Sequence, residues 1–386
     1  MDLKSIIDFA DSLYHDLSLG SVKDYCETKS AKAIGYMPIY APREIVHAAG
    51  MLPVGIVGAG GQIEIIRGDA YYQSYICQIP RSTIELALSH RLDVLDGMLF
   101  PATCDVIRNL SGMWKVLFSD KYVRYLDVPQ IFDDETGGAF WAHELRSLRD
   151  DLAERAGRKV SDDDLLRSIA AYDDNRRALN SLMEIRRDEP WRAPTHEAYL
   201  VLRAGNVLPV EEHTKLIRDY CGAVLDADRP MRDHTRVVVV GAFCEQPPLG
   251  LIQTLERAGC AIVWDDLLLG ARWIEGDVGA HGDPIANLAG AYLRKSVSTA
   301  VKYEPKRRRG EYLVDVVKDS KAEGVIFAAP SFCDPALLEQ PMLANALDRA
   351  KIPWTAFKYA ENLGQFQVIR EQAGTFADSV RLWSEQ

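Results

Sequence analysis

The chain has 386 residues, of which 47% are hydrophobic and 26% are charged. These values are typical of a globular protein with two or three domains and exclude disorder, collagen and coiled coil as overall descriptions. The 45 basic and 56 acidic residues give a formal net charge of −11, which supplies no broad cationic field for nucleic acid or anionic lipid. We therefore expect no nucleic acid and no membrane among its partners, and a small molecule or a protein instead.

The first segment predicts an amphipathic helix. Acidic residues interrupt the apolar ones between Met1 and Asp11, whereas a secretory signal has an unbroken apolar stretch. The seven cysteines of the chain are odd in number and irregularly spaced, unlike a secreted disulfide framework. We expect a cytoplasmic protein.

The stretch from Ile45 to Gly61 has no charged side chain and approaches the length of a membrane span. Pro53 and five glycines within it disfavour a continuous helix, so a helix end, a turn and a strand are predicted. No frame of its glycines gives G-x-G-x-x-G followed by a helical pattern, and a turn is favoured over a dinucleotide-binding loop.

Short apolar runs alternate with helical stretches along the rest of the chain. Nearly continuous apolar strands separated by helices are typical of parallel sheets covered on both faces, and the region from Leu249 to Trp264 has the pattern of one βαβ unit. The runs that predict strands begin at Gly97, Val123, Arg236, Ala261, Gly324 and Ile352.

A polar segment with few candidate strands separates the two strand-rich regions. It shows a helical period from Leu165 to Met183 after Ser161, a candidate helix cap. The sequence thus predicts an α/β fold with two Rossmann-like or flavodoxin-like lobes built on parallel sheets and joined by a helical segment. The expected ranges are 1–139 for the first lobe, 140–230 for the bridging helices and 231–386 for the second lobe.

Several charged groups have both a functional and a structural interpretation. Acidic groups at 133–135, 162–164, 173–174 and 265–266 invite a two-metal or acid/base hypothesis, but helix capping and dipole interactions explain most of them locally. The run from Lys306 to Arg309 has the charge to bind phosphates, yet is more typical of a solvated surface or a docking patch.

Familiar catalytic signatures are missing from the sequence. The eight histidines form no H-E-x-x-H arrangement, and neither G-x-S-x-G nor G-x-x-x-x-G-K-[ST] occurs. A zincin, a serine hydrolase and a self-contained ATPase are therefore disfavoured.

Three cysteines lie in settings that favour chemistry. Cys104 and Cys333 each follow a predicted strand and precede an aspartate, Asp105 and Asp334, and open α/β sheets place their sites at the carboxyl ends of strands. We expect the two to face each other across a cleft between the lobes. Cys77 precedes a predicted helix, where backbone N–H groups favour a thiolate.

Spacing alone leaves a metal site and buried structural cysteines both open, because no dense C-x-x-C cluster is present. Cys26, Cys221, Cys244 and Cys260 lack the paired setting, and Cys260 is predicted to lie in the core.

These segments resemble the benzoyl-CoA reductase and 2-hydroxyacyl-CoA dehydratase family. The likeness runs from about Gly35 to Ala377 and is carried by Gly35–Val54, Phe100–Arg108 and Ser331–Pro335. It implies one [4Fe-4S] cluster held by Cys77, Cys104 and Cys333, with no cysteine at the fourth iron. Asp105 and Asp334 are expected in hydrogen-bonding or capping roles beside these ligands.

Within the family, 75–86 and 110–115 look most like the gamma subunits of ATP-dependent benzoyl-CoA reductases. The implied activity is the ferredoxin-driven, two-electron reduction of benzoyl-CoA to a cyclic diene thioester. The implied partners are a homologous subunit that carries a second cluster and ATPase activator subunits, which hold ATP and Mg. Reduced ferredoxin is expected upstream and an acyl-CoA is the expected substrate.

Two alternatives remain beside this interpretation. One is a subunit of a 2-hydroxyacyl-CoA dehydratase that uses the same cluster chemistry, and the other is a scaffold or redox-sensing thiol protein without iron. The sequence does not decide whether the cluster binds substrate or relays electrons, although relay is favoured, and it does not identify the proton donors.

Overall fold

The computed structural model describes residues 2–241, 247–267, 272–300, 302, 307–360 and 366–384, with residues 383 and 384 described by their backbone alone. Over these residues the chain forms two lobes, each built on a four-stranded parallel sheet. This confirms the α/β fold with two parallel-sheet lobes. The lobe boundaries at 139/140 and 230/231 remain predictions.

The N-terminal sheet has the strand order β2-β1-β3-β4. Apolar strands are flanked by amphipathic helices, as expected for a sheet covered on both faces. The strands are β1 (Ala33–Tyr36), β2 (Leu52–Gly55), β3 (Gly97–Pro101) and β4 (Tyr122–Leu126). The helices are α1 (Leu3–His15), α2 (Gly20–Lys29), α3 (Arg43–Ala48), α4 (Gln78–Leu88) and α5 (Asp105–Leu117), with a 3-10 turn at Gly68–Ala70.

Long helices form the middle of the chain, as the helical period predicted. A capping box starts the longest, since the Ser161 hydroxyl accepts from the Asp164 N–H and the Asp164 carboxylate accepts from the Ser161 N–H. The helices are α6 (Ala139–Ala156), α7 (Asp162–Asp188), α8 (Thr195–Ala204) and α9 (Val210–Asp226), after a π-helical turn at Asp134–Gly138.

The C-terminal sheet has the order β6-β5-β7-β8. Its strands are β5 (Thr235–Val240), β6 (Cys260–Asp265), β7 (Gly324–Pro330) and β8 (Trp354–Tyr359). The described helices are α10 (Leu249–Arg257), α11 (Pro284–Lys295), α12 (Glu311–Asp319), α13 (Asp334–Ala350) and α14 (Phe366–Ser384). Between α10 and β6 the chain turns at Gly259, whose φ of 88° favours glycine, and completes the predicted βαβ unit.

The two lobes have the same topology. In each, the first strand of the sheet pairs with the second on one side and with the third on the other. The order therefore reverses between β1 and β3 and between β5 and β7, and such switch points open a crevice at the carboxyl ends of the strands. The two lobes are thus alike in their strand order.

The lobes share a buried core at their junction. Tyr40, from the loop after β1, packs edge-on against Trp273 and Tyr292 at centroid distances of 5.6 and 5.5 Å. The Tyr40 hydroxyl also lies 2.5 Å from the Thr299 hydroxyl. Aromatic edge-to-face contacts of this kind stabilise beyond the area they bury, so the loop after β1 is fixed against the C-terminal half of the chain.

Helix α1 packs away from the sheet nearest to it in sequence. Its buried residues Ile6, Ala10 and Tyr14 belong to one hydrophobic cluster with Ile217 on α9 and Val237 on β5. The amphipathic helix predicted at the start of the chain is therefore present, and its apolar face is covered by elements from the second half of the chain.

The uncharged stretch from Ile45 to Gly61 also folds as predicted. It comprises the end of α3, a turn at Gly50 with φ of 77°, and the buried strand β2. No helix in the described ranges is both long and apolar enough to cross a membrane.

Candidate metal centre

The three cysteines predicted as ligands occupy equivalent positions in their local structures. Cys77 is the N-cap of α4, Cys104 is the N-cap of α5, and Cys333 is the N-cap of α13. The first N–H groups of a helix lack intrahelical partners and, with the helix dipole, favour an anion at this position. Each of the three cysteines therefore lies at a helix end whose N–H groups favour an anion, although at Cys104 the effect of burial on the thiol is larger.

The fold brings Cys104 and Cys333 together from different lobes. Burial raises the pKa of the Cys104 thiol above its ordinary value, and the charge of Cys333 raises it further. The N–H groups of Ile107 and Val106 in the first turn of α5 act in the opposite direction. The charge interaction places the two cysteines near each other, and that they face each other across a cleft stays a prediction.

Tyr72 lies near both Cys77 and Cys104. Burial raises the pKa of the Tyr72 hydroxyl, and the charges of Cys77 and Cys104 add to this increase. The Tyr72 hydroxyl donates a hydrogen bond of 3.3 Å to the carbonyl oxygen of Val106. Tyr72 therefore lies beside two of the three cysteines and holds the start of α5 against the segment that leads to Cys77.

Three cysteine thiols are a donor set of the kind that holds iron–sulfur clusters. None of the six described cysteines forms a disulfide bond, and Cys333 is only 3% exposed. In the described part of the chain, no three His, Cys, Asp or Glu side chains are arranged to hold one ion directly. In an iron–sulfur cluster each cysteine binds its own iron, so the sulfur atoms need not converge on one point.

The aspartates that follow two of the cysteines face solvent. Asp105 and Asp334 are exposed and are the first residues of α5 and α13. A carboxylate in the first turn interacts favourably with the helix dipole, and the hydrogen-bonding or capping role expected for both aspartates stays a prediction.

The other acidic groups have local structural partners. Asp133 accepts the Thr136 N–H at 2.6 Å, Asp174 pairs with Arg218 at 2.6 Å, and buried Asp265 pairs with Arg186 at 2.7 Å. Together with the capping box at Asp164, these contacts support the structural interpretation over a two-metal site.

The basic run at 306–309 is partly used inside the protein. Arg309 donates to the carbonyl oxygens of Lys302 and Thr299 and pairs with Glu339. Arg307 pairs with Asp315, and Arg308 is exposed. Lys306 lies outside the described residues, as does Cys244.

Two of the remaining cysteines are ordinary packing residues. Cys260 opens β6 and is 1% exposed, as predicted, and burial raises the pKa of its thiol to about 12. Burial also raises the pKa of Cys221 to about 11. Thiols that stay protonated at neutral pH are poor nucleophiles.

A buried ionic cluster that local sequence patterns do not predict joins α3 to α7. Arg176 on α7 pairs with Glu44 at 2.7 Å and with Asp173 at 2.8 Å, and all three side chains are nearly inaccessible to solvent. Asp173 also accepts the N–H groups of Val278 and Gly279. In the sequence, Asp173 belongs to the acidic group at 173–174, and Glu44 lies beside an apolar stretch.

The fold and the site together define a class of protein. Its members have two α/β lobes, with cysteines at the N-caps of three helices around the lobe junction. The sequence profile of 2-hydroxyglutaryl-CoA dehydratase, D-component, matches residues 38–380. The chain belongs to this family, and the resemblance inferred from its motifs is confirmed at the family level.

Curated relatives match over nearly their whole length. The chain is 54% identical over 386 residues to a benzoyl-CoA reductase subunit of Thauera aromatica, covering 100% of both chains. It is 30% identical over 361 residues to the beta subunit of (R)-2-hydroxyglutaryl-CoA dehydratase of Acidaminococcus fermentans, covering 92% of this chain and 94% of the relative. It is 28% identical over 360 residues to the (R)-phenyllactyl-CoA dehydratase beta subunit of Clostridium sporogenes, covering 93% and 94%.

Proposed function

We propose that this chain is the iron–sulfur gamma subunit of an ATP-dependent benzoyl-CoA reductase. It takes part in the ferredoxin-driven, two-electron reduction of benzoyl-CoA to cyclohexa-1,5-diene-1-carbonyl-CoA in the cytoplasm of an anaerobically growing cell. The observation that carries the proposal is the placement of Cys77, Cys104 and Cys333 at three helix N-termini around the lobe junction. The full-length identity of 54% to a benzoyl-CoA reductase subunit supports the choice of substrate.

Cys77, Cys104 and Cys333 would hold one [4Fe-4S] cluster. Such a cluster supplies one-electron transfer at a potential that the protein sets through burial, hydrogen bonds to sulfur and solvent exposure. Here the nearly complete burial of Cys333 and the packing of Tyr72 beside the other two cysteines limit access of water. Exclusion of water favours a low potential, whereas N–H donors such as those of Val106 and Ile107 beside Cys104 act in the opposite direction.

The chain works in a hetero-oligomer in this proposal. The three relatives described above are named as subunits, and we assign to this chain a homologous partner subunit with its own cluster. ATPase activator subunits hold ATP and Mg and accept electrons from reduced ferredoxin.

The decisive experiment counts iron and acid-labile sulfide in the complex after anaerobic purification. Relative to wild type, Cys77→Ser, Cys104→Ser and Cys333→Ser are each expected to lose about four iron and four sulfide per copy of this chain. Cys26→Ser is the matched control and is expected to retain both, because Cys26 is not placed at the lobe junction. Unchanged iron content in a folded Cys333→Ser complex would refute the ligand assignment.

A dehydratase subunit is the second candidate. The family profile itself describes a dehydratase component, and the relative with 30% identity is a dehydratase subunit. The wild-type complex, incubated with reductant, ATP and either benzoyl-CoA or a 2-hydroxyacyl-CoA, separates the two. Ring reduction is expected, whereas elimination of water from the hydroxyacyl thioester, without ring reduction, would favour the dehydratase.

A further inference from the structure

A cavity of about 230 Å³ opens at the amino-terminal edge of the C-terminal sheet. It lies between the start of α8, the segment that leads into β5, and the first residues of β6. Cys333 follows the carboxyl end of β7, so the cavity and the cysteine site are separated by roughly the length of a strand, about 20 Å. The cavity is therefore not part of the candidate metal centre.

One wall of the cavity is apolar and fixed. Trp191, Pro194 and Pro230 line it, and Ile262 of β6 contributes to its floor. The buried guanidinium of Arg186 donates to the Thr195 hydroxyl at 3.0 Å and to the Ile262 carbonyl at 3.3 Å, which holds two lining residues in place. An aromatic or alicyclic ring would meet a preformed surface here.

The carboxylates in the lining are already neutralised. Glu256 accepts the Thr195 N–H at 2.5 Å and pairs with Nδ1 of His196 at 2.5 Å. Glu197 forms a bidentate pair with Arg229, with both distances 2.9 Å. Since Glu256 occupies the N-terminal N–H groups of α8, that helix end is not available to a phosphate.

Two basic side chains at the mouth have no such partner. Within the described ranges, Arg232 and His234 form no side-chain hydrogen bond or ion pair with another residue, and Arg232 is exposed. Arg232 and His234 are two residues apart and both line the cavity. Burial and the charges of Arg232 and Arg381 lower the pKa of His234, and the charges of Glu256 and Asp233 act in the opposite direction. The mouth therefore carries a positive charge and hydrogen-bonding capacity that the protein does not use.

We propose that this cavity binds a small organic carboxylate with a single-ring apolar body. The ring lies against Trp191 and the prolines, and the carboxylate accepts hydrogen bonds from Arg232 and His234. Drug-sized ligands fill about 300–1,000 Å³, so the smaller volume here selects a ligand of one ring. The proposal is independent of the function assigned to the cysteine site.

Calorimetric titration of the full chain with three probes tests the site. Benzoate combines ring and carboxylate, inorganic phosphate offers charge alone, and benzamide offers a ring without charge. We expect one saturable benzoate site per chain and affinities for phosphate and benzamide at least about tenfold weaker, because each lacks one of the two contacts. Equal binding of phosphate and benzoate, or no saturable binding of benzoate, would overturn the proposal.

Variants assign the binding to this cavity. Arg232→Gln and Trp191→Ala are each expected to weaken benzoate binding about tenfold, whereas Arg91→Gln, an exposed arginine of the N-terminal lobe, leaves it unchanged. Iron content, measured in parallel, is expected to be unaffected in all three. Benzoate affinity that is insensitive to both cavity variants would place the ligand elsewhere and refute this site.

Discussion

Cys104 and Cys333 are topological equivalents: each is the N-cap of the helix that follows the third strand of its own sheet. The two lobes present these equivalent ends to each other at their junction, so a pair of thiols related by the repeated topology comes together. Cys77, at the start of α4, has no cysteine counterpart in the described part of the second lobe. The three candidate ligands are thus the topologically equivalent pair Cys104 and Cys333, together with Cys77, which has no equivalent.

Iron removal is expected to loosen the contact between the lobes. The proposed cluster ties α4 and α5 to α13, and a ligand that binds only the folded state stabilises it. Chelation of iron from the wild-type complex should lower its melting temperature by about 5 °C or more. The same treatment should leave Cys333→Ser unchanged, and an equal shift in both proteins would contradict the interlobe tie.

Buried His213 predicts a loss of stability in mild acid. Its Nδ1 accepts from the Asn175 amide at 3.2 Å and its Nε2–H donates to the Val201 carbonyl at 3.1 Å, which requires the neutral ring. Burial lowers the pKa of His213 from 6.5 to about 4, and the charge of Arg43 acts in the same direction. Between these values the unfolded chain binds more protons, so the free energy of unfolding falls with falling pH, by about 3 kcal/mol for this group.

Urea unfolding of the full chain at several pH values measures this dependence. His213→Gln should flatten the curve between pH 6.5 and 4, while His90→Gln, an exposed histidine, should leave its slope as in wild type. Identical slopes for wild type and His213→Gln would refute the assignment.

The ring of His213 lies so close to residue 205 that this position requires glycine. A Cβ atom at this position would lie 2.3 Å from Cε1 and 2.5 Å from Nδ1 of the His213 ring. The ring is held by two hydrogen bonds and cannot move aside, so Gly205→Ala should destabilise the chain by about 1–3 kcal/mol. Gly222→Ala on α9 has no atom within 4 Å of the added methyl and should be neutral or stabilising by up to about 1 kcal/mol. Chemical denaturation of both variants provides the comparison, and equal effects would contradict the steric argument.

Neighbouring arginines on α7 should differ sharply in their contribution to stability. Arg176→Met leaves Glu44 and Asp173 buried without their cation and should cost about 3–5 kcal/mol. Arg177→Met removes pairs with Asp277 and Asp174 from a side chain that is 54% exposed, and should cost less than about 1 kcal/mol. A small effect of Arg176→Met in an unfolding titration would show that Glu44 and Asp173 do not need the charge of Arg176 in order to remain buried.

Local sequence patterns, which involve only residues close together along the chain, predicted most of the fold. The runs at β5 and β7 are long, β-branched and buried, so they are recognised from the sequence alone. Strand β1 was missed because it has only four residues, one of which is Gly35. Its strand character comes from pairing with β2 and β3 on both sides, which no local pattern reveals.

The cysteine site was predictable in position but not in surroundings. Cys104 and Cys333 follow strands that the sequence identifies, and the carboxyl-edge rule places them at the crevice. Tyr72 and the Arg176 cluster were not found, because their partners lie far away in sequence: Glu44 and Arg176 are separated by 132 positions. Such contacts follow from the packing of α3 against α7, which is a property of the tertiary structure.

The position of α1 has a consequence for synthesis on the ribosome. Its apolar face is covered by α8 and α9 and by the second sheet, and α8 begins about 180 residues after α1 ends. At about 5–20 residues per second, α1 waits roughly 10–40 s for the surface that covers it. During this interval Ile6, Ala10 and Tyr14 are a target for holding chaperones, and the beginning of the chain is among the last parts to reach its final place.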